Sequence, residues 1–142
     1  MPNAIDHIDI RVSDLAASRA FYEAALAPLG WRVRSAEPDP AGGFEVGFGC
    51  DESTRFAIHT PAGAPGQNVV TTGAHIAFEA ADQTEVAEFH AAALAHGGRD
   101  IGAPGRRSEY SERYYGAFVL DPDDNNIEAV WHAPEGEAAA TA

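Results

Sequence analysis

The residues of this chain best suited to chemistry are His7, His75 and Glu128, with His59 as a fourth. Neutral imidazole and carboxylate donors hold borderline divalent ions such as Zn, Ni, Mn or Fe(II) without thiolate. Three protein ligands leave positions open for water or substrate. A histidine on a strand is by itself a weak sign of metal, since most such side chains face solvent or make a structural hydrogen bond. His90, His96 and His132 belong to that ordinary category. What separates the first set is its place in an internal repeat.

The segment HIDIRVSDLAASRAFYEAALAPLGW, His7 to Trp31, lies over HIAFEAADQTEVAEFHAAALAHGGR, His75 to Arg99, with no gap. Nine of the 25 positions are identical, including the paired His7/His75, Asp14/Asp82, Phe21/Phe89 and Gly30/Gly98. Each copy reads as a strand followed by a helix. Ile8, Ile10 and Val12 alternate with His7, Asp9 and Arg11, the pattern of a half-buried strand. The apolar set faces the helices, so His7 and His75 fall at equivalent places on the opposite, concave face. Asp14 is a good N-cap for the first helix, and Asp82 with Glu85 makes a capping-box-like start for the second. Gly30 and the Gly97–Gly98 pair supply the helix stops.

Three strands follow each helix. In the first half they are expected at Trp31–Ala36, Phe44–Gly49 and Arg55–Thr60, and in the second near Arg99–Gly102, Tyr115–Leu120 and Asn126–His132. The dipeptides Ile58-His59 and Ile127-Glu128 match at an offset of 69 residues, one more than the strand–helix repeat. On that match His59 and Glu128 form a second symmetric pair, and the four side chains can converge. The order is βαβββ, linker, βαβββ. It implies an α+β fold, two tandem modules forming a curved mixed eight-stranded sheet around a central cleft. Residues 1–142 make one domain, with modules at 4–60 and 74–132, a linker at 61–73 rich in Gly, Pro and Ala, and a flexible tail at 133–142.

Composition narrows the function. The net charge is −13, and all nine basic residues are arginine. So acidic a chain is a poor ligand for nucleic acid or an anionic membrane, because it lacks the counterion-release contribution. Without lysine there is no Schiff base and no Walker-type phosphate lysine. Cys50 is the only cysteine, which excludes internal disulfides and thiolate zinc clusters. No apolar run has the length of a membrane span. The opening MPNAIDHIDI does not read as a signal peptide, so a cytoplasmic location is the expectation.

These segments resemble the vicinal oxygen chelate superfamily, which contains glyoxalases, bleomycin-resistance proteins and extradiol dioxygenases. HIDIRVSDLAASRAFYEAALAPLGW looks like its first-module signature. HIAFEAADQTEVAEFHAAALAHGG and FVLDPDDNNIEAVWH resemble its second module, with Asp124 where a DPDG turn has glycine. The resemblance implies metal ligands on the first and last strands of each module, which carry over to His7, His59, His75 and Glu128. In glyoxalase I-like members the residue matching His59 is usually a glutamate that takes part in proton transfer. Here His59 would be a fourth ligand or a general base, with Glu128 a catalytic ligand. The extradiol dioxygenases and fosfomycin-resistance enzymes share a triad of two histidines and one glutamate, though the latter also use lysine. The expected function is a metal-dependent lyase, isomerase or dioxygenase, with one divalent ion per site chelating vicinal oxygens of a small oxygenated substrate. The alternative is a non-catalytic protein that sequesters a small molecule, as bleomycin-resistance proteins do. The stretch from Arg106 to Tyr115 should line the cleft, with Arg113, Tyr110 and Tyr115 on the substrate, the arginine meeting an anionic group. The resemblance also implies a homodimer.

Overall fold

The computed structural model of the chain describes residues 4–40, 42–60 and 69–141. The first module runs β1 (Ile8–Arg11), α1 (Leu15–Leu26), a 3-10 turn at Ala27–Leu29, β2 (Arg32–Pro38), β3 (Phe44–Gly49) and β4 (Phe56–His59). The second runs β5 (His75–Glu79), α2 (Gln83–Ala95), β6 (Arg99–Arg106), β7 (Tyr114–Leu120) and β8 (Asn126–His132). The eight strands form two four-stranded mixed sheets of the same topology, β1-β4-β3-β2 and β5-β8-β7-β6. In each, the first and last strands of the module are parallel and the rest antiparallel. Both β1 and β5 are therefore edge strands of their own sheets.

The helices begin where their caps dictate. The Asp14 carboxylate accepts from the Ala17 amide at 3.0 Å, and that of Asp82 accepts from the Glu85 amide at 2.8 Å. Glu85 reaches back to accept from the Ala81 amide at 2.7 Å. A cap of this kind is worth about 1 kcal/mol. Each helix lays one apolar face on the core: Phe21, Tyr22, Ala25 and Leu26 on α1, and Val86, Phe89 and Ala93 on α2, all fully buried.

The modules meet through the two helices and a set of aromatic rings. Gly98 lets them approach, since a Cβ there would stand 2.8 Å from the Phe21 ring and 2.7 Å from the Ala93 carbonyl. Phe78 of β5 takes Trp31 and Phe56 edge-on, with ring centroids 5.1 and 5.5 Å away. Polar contacts reinforce the joint. The buried Tyr22 hydroxyl donates to Asp121, and Ser13 bonds to Asp123 through backbone and hydroxyl. Asp121 also accepts from the amides of Asp123 and Asn125 and from the Asn125 side chain. It organises the turn in which Asp124 takes φ 66°. That is the left-handed conformation a glycine would adopt freely, and Asp tolerates it better than most residues.

Of the linker, residues 61–68 lie outside the described residues, while Thr71 is tied down, its amide to the Arg11 carbonyl and its carbonyl to the Asn125 side chain. The tail touches the rest of the protein at two places, with residues 134–138 exposed between them. Ala133 and Ala139 are buried, and amides of the tail bond back to Arg113, Glu112 and the Gln83 side chain. Alanine has little surface to bury, but it fits small spaces, and the backbone bonds hold the segment.

Candidate metal and substrate site

Strand register decides which side chains can share a site. In the second sheet the helix side takes Phe78, Tyr115, Ala117, Val119, Ile127 and Ala129, all buried. The opposite face takes His75, Glu128, Tyr114, Gly116 and Phe118. Glu128 pairs with Ala77 on one side and with Phe118 on the other. Its side chain is buried, 1% exposed, yet both oxygens are satisfied. Oε1 stands 2.9 Å from His75 Nε2, and Oε2 accepts from the Tyr114 hydroxyl. Gly116 makes room for this, because a Cβ there would come within 3.1 Å of Glu128 Oε2 and 3.3 Å of the Tyr114 ring. Burial first, and then the bond to Glu128, push the Tyr114 phenol well above its ordinary pKa. It is therefore a firm donor at neutral pH. His75 keeps half of its side chain exposed at the cleft surface.

This donor set fits a divalent ion. Ligand bonds of about 2.0–2.2 Å place two donors about 3 Å apart at the right angle of an octahedral ion, close to the 2.9 Å His75–Glu128 separation, and about 3.4 Å apart at a tetrahedral one. The hydroxyl on the far oxygen of Glu128 is the kind of outer partner that orients a carboxylate ligand.

The first sheet presents a different group. His7 is exposed, and its Nδ1 lies 2.8 Å from Asp6. That bond, then the charge of Asp9, raise its pKa. His59 is buried, with Nδ1 3.0 Å from Asp39 and Nε2 without a hydrogen-bond partner among the described residues. Its cross-strand neighbour Glu45 has its carboxyl pushed up by burial and by Asp9. Register corrects the pairing read from the sequence. Asp9 pairs with Ala57 as Ala77 pairs with Glu128, and Arg11 pairs with His59 as Glu79 pairs with Val130. The position equivalent to Glu128 is thus Ala57, an offset of 71 residues rather than 69, and His59 lies one pleat beyond it. Among the described residues no three His, Cys, Asp or Glu side chains come together around one point within the chain. His75 and Glu128 meet, and His7 and His59 remain on the other sheet.

Of the rim residues, Tyr110 is exposed and packs edge-on against Tyr114, with ring centroids 5.0 Å apart. Tyr115 turns the other way, into the core beneath the sheet. Arg113 is occupied structurally, its Nε donating to the Ala133 carbonyl at 2.7 Å. Tyr114, Phe118 and Arg107 take the cleft positions instead. For Tyr114 and Phe118 the signal was the alternation in YYGAFVL: starting the strand at Tyr114 puts Tyr114, Gly116 and Phe118 together on the Glu128 face.

An α+β chain of two βαβββ modules, each carrying polar side chains on the sheet face opposite its helix, is the class that fold and site define. The family model for the Glyoxalase/Bleomycin resistance protein/Dioxygenase superfamily matches residues 4–129, and the chain belongs to that superfamily. A glyoxalase/bleomycin resistance protein from Albidiferax ferrireducens T118 is 30% identical, with a TM-score of 0.72 over 92% of this chain and 99% of that one. A lactoylglutathione lyase from Agrobacterium tumefaciens is 22% identical, with a TM-score of 0.62 over 92% and 95% of the two chains. Glyoxalase I from Zea mays is 22% identical, with a TM-score of 0.66 over 88% of this chain and 44% of that one. No curated protein matches in sequence. No helix among the described residues is long and apolar enough to cross a membrane.

Proposed function

We propose that this protein is a metal-dependent enzyme acting on a small oxygenated molecule, with His75 and Glu128 as the fixed part of its metal site and His7 as the third ligand. The observation that carries this reading is the His75 Nε2–Glu128 Oε1 separation of 2.9 Å at a cleft surface, with the carboxylate otherwise buried and held by Tyr114. A bound divalent ion would supply Lewis-acid polarisation of two neighbouring substrate oxygens. Tyr114 keeps Glu128 aimed at the cleft. His59, one pleat from the Ala57 position, has Asp39 on Nδ1 and, among the described residues, no partner on Nε2, the arrangement of an oriented general base.

His7 sits on the other sheet of the same chain, so the third ligand is supplied by a second copy in a homodimer. Among the described residues no strand pairs with the outer edges of β1 and β5, and unpaired edges invite such pairing. A glyoxalase-like lyase or isomerase and a dioxygenase are the two reactions to separate.

The test is turnover by metal-loaded protein, assayed for oxygen uptake with catechols and for isomerisation of the hemithioacetal of methylglyoxal and glutathione. Activity in either assay that disappears in Glu128→Ala supports the proposal. Tight binding of a small molecule with no metal-dependent turnover would instead support the sequestering role of bleomycin-resistance proteins.

A further inference from the structure

Arg107 stands at the mouth of the second-module cleft in an arrangement that the metal reading does not use. Its guanidinium lies flat along β6. A Cβ on Gly102 would be 3.2 Å from Nη2, and one on Gly105 would be 3.1 Å from Nη1. Two glycines thus leave the strip of backbone on which the side chain rests. One face of the group covers the Phe118 ring, with Cζ 5.3 Å from the centroid, and Nη2 donates to the Ala103 carbonyl at 2.6 Å. Lost flexibility is therefore already built into the free protein, which makes the cation preorganised.

Arg19, Arg55, Arg99 and Arg106 sit in ion pairs with carboxylates. Among the described residues Arg107 makes no ion pair, in a chain of net charge −13. A cavity of about 340 Å³ lies beside it, bounded also by His75, Tyr110, Phe118 and Asn126. The His75 ring is 6.0 Å from the same Phe118 ring. A cation and the proposed metal ligand thus flank one aromatic ring, with a second, Tyr110, above the opening.

We infer that this cavity binds a planar, single-ring monocarboxylate bearing a second oxygen next to the carboxylate. The carboxylate meets Arg107, the ring packs against Phe118 and Tyr110, and the second oxygen turns toward His75 and Glu128. A guanidinium offers a planar fork of donors suited to a carboxylate. Cavity size sets the limit at one ring, near the small end of ligand pockets. Charge sets the limit at one in the metal-free protein: Arg107 is the one arginine among the described lining residues and the buried Glu128 is close by, so a monoanion matches the cavity better than a dianion. The inference rests on the proposed function only in taking this face of the second sheet as the substrate side.

The test uses salicylate and its neutral analogue salicylamide, titrated calorimetrically into wild type, Arg107→Gln and Arg107→Lys, first with chelator present and then with Co(II). Salicylate is expected to bind the chelated wild type in clear preference to the amide. Arg107→Gln should weaken salicylate about 10- to 100-fold, the worth of a charged hydrogen bond, and leave salicylamide unchanged. Arg107→Lys keeps the charge and the stem, so it covers the case in which Arg107→Gln does not fold. It should keep the preference for the anion while binding it more weakly. Equal binding of acid and amide by the wild type, no binding of either, an Arg107→Gln protein that binds salicylate like the wild type, or loss of preference in Arg107→Lys overturns the inference. A Co(II)-dependent gain in salicylate affinity, absent in Glu128→Ala, bears on the metal reading alone. The two ideas therefore fail separately.

Discussion

Replacing Tyr114 by Phe removes one oxygen atom and should be felt twice. The hydroxyl donates to Oε2 of Glu128, a carboxylate 1% exposed, and the other oxygen already faces His75. A hydrogen bond to a charged group is worth about 1.5–3 kcal/mol. Tyr114 is itself partly exposed, so water can reach part of the vacated space, and the low end, about 1.5 kcal/mol, applies. In a domain of this size about 4 °C of melting temperature accompanies each kcal/mol, which gives a fall of about 6 °C by calorimetry on metal-free protein. The second effect is on metal. Loss of an outer partner that orients a ligand lowers affinity about 10- to 100-fold, measurable by competition with a chromophoric chelator. Tyr110→Phe is the control, since it keeps the ring against Tyr114 and leaves Glu128 untouched; it should change neither quantity. A Tyr114→Phe protein that melts with the wild type and binds metal as tightly would refute the assignment of Tyr114 as the support of Glu128.

Three other perturbations bear on the same packing and contacts. Gly116→Ala places a Cβ 3.1 Å from Glu128 Oε2 and 3.3 Å from the Tyr114 ring; it should cost about 1–3 kcal/mol in chemical denaturation and weaken metal binding with it. At the joint between modules, burial and then Asp121 raise the Tyr22 phenol well above 10.0. Its native pKa exceeds its unfolded one, so its stabilising contribution is complete below about pH 10 and is lost as pH rises toward the native value. Tyrosinate absorbance should show Tyr22 ionising only with unfolding, and Tyr22→Phe should cost about 1.5–3 kcal/mol. If the metal site is shared between copies, His7→Ala and Glu128→Ala chains, each unable to hold metal alone, should regain one ion per dimer when co-expressed and purified as the mixed species. A mixed dimer without metal would place the site within one chain.

Much of the fold was legible because the repeat carries its own punctuation. Asp14 and Asp82 cap the helices as their side chains predict, and the paired Phe21 and Phe89 both end in the core. Of the candidate site, His75 and Glu128 meet on one sheet face, while His7, its gapless-repeat partner, lies on the other sheet. Further along, the offset between modules grows to 71 residues at the last strands, and only the hydrogen-bond ladder reveals it. The two-residue difference moves His59 off the position of Glu128 and puts Ala57 there. A smaller misreading had a similar cause. Starting a strand at Tyr115 hides that Tyr114 belongs to it, and neighbouring residues on a strand face opposite sides. So the ring expected on the substrate is in the core, and the one beside it holds Glu128. Arg107 was hidden for another reason: its pose depends on missing Cβ atoms at Gly102 and Gly105, on a strand expected to end at Gly102.

The proposal that His75 and Glu128 hold a divalent ion with His7 is checked by metal content, measured by mass spectrometry on tag-free protein beside His7→Ala, His75→Ala and Glu128→Ala. The wild type should carry one ion per chain, lost in every variant. A wild type that stays metal-free after exposure to Fe(II), Ni, Mn and Zn, or a bound ion that survives Glu128→Ala, would contradict it.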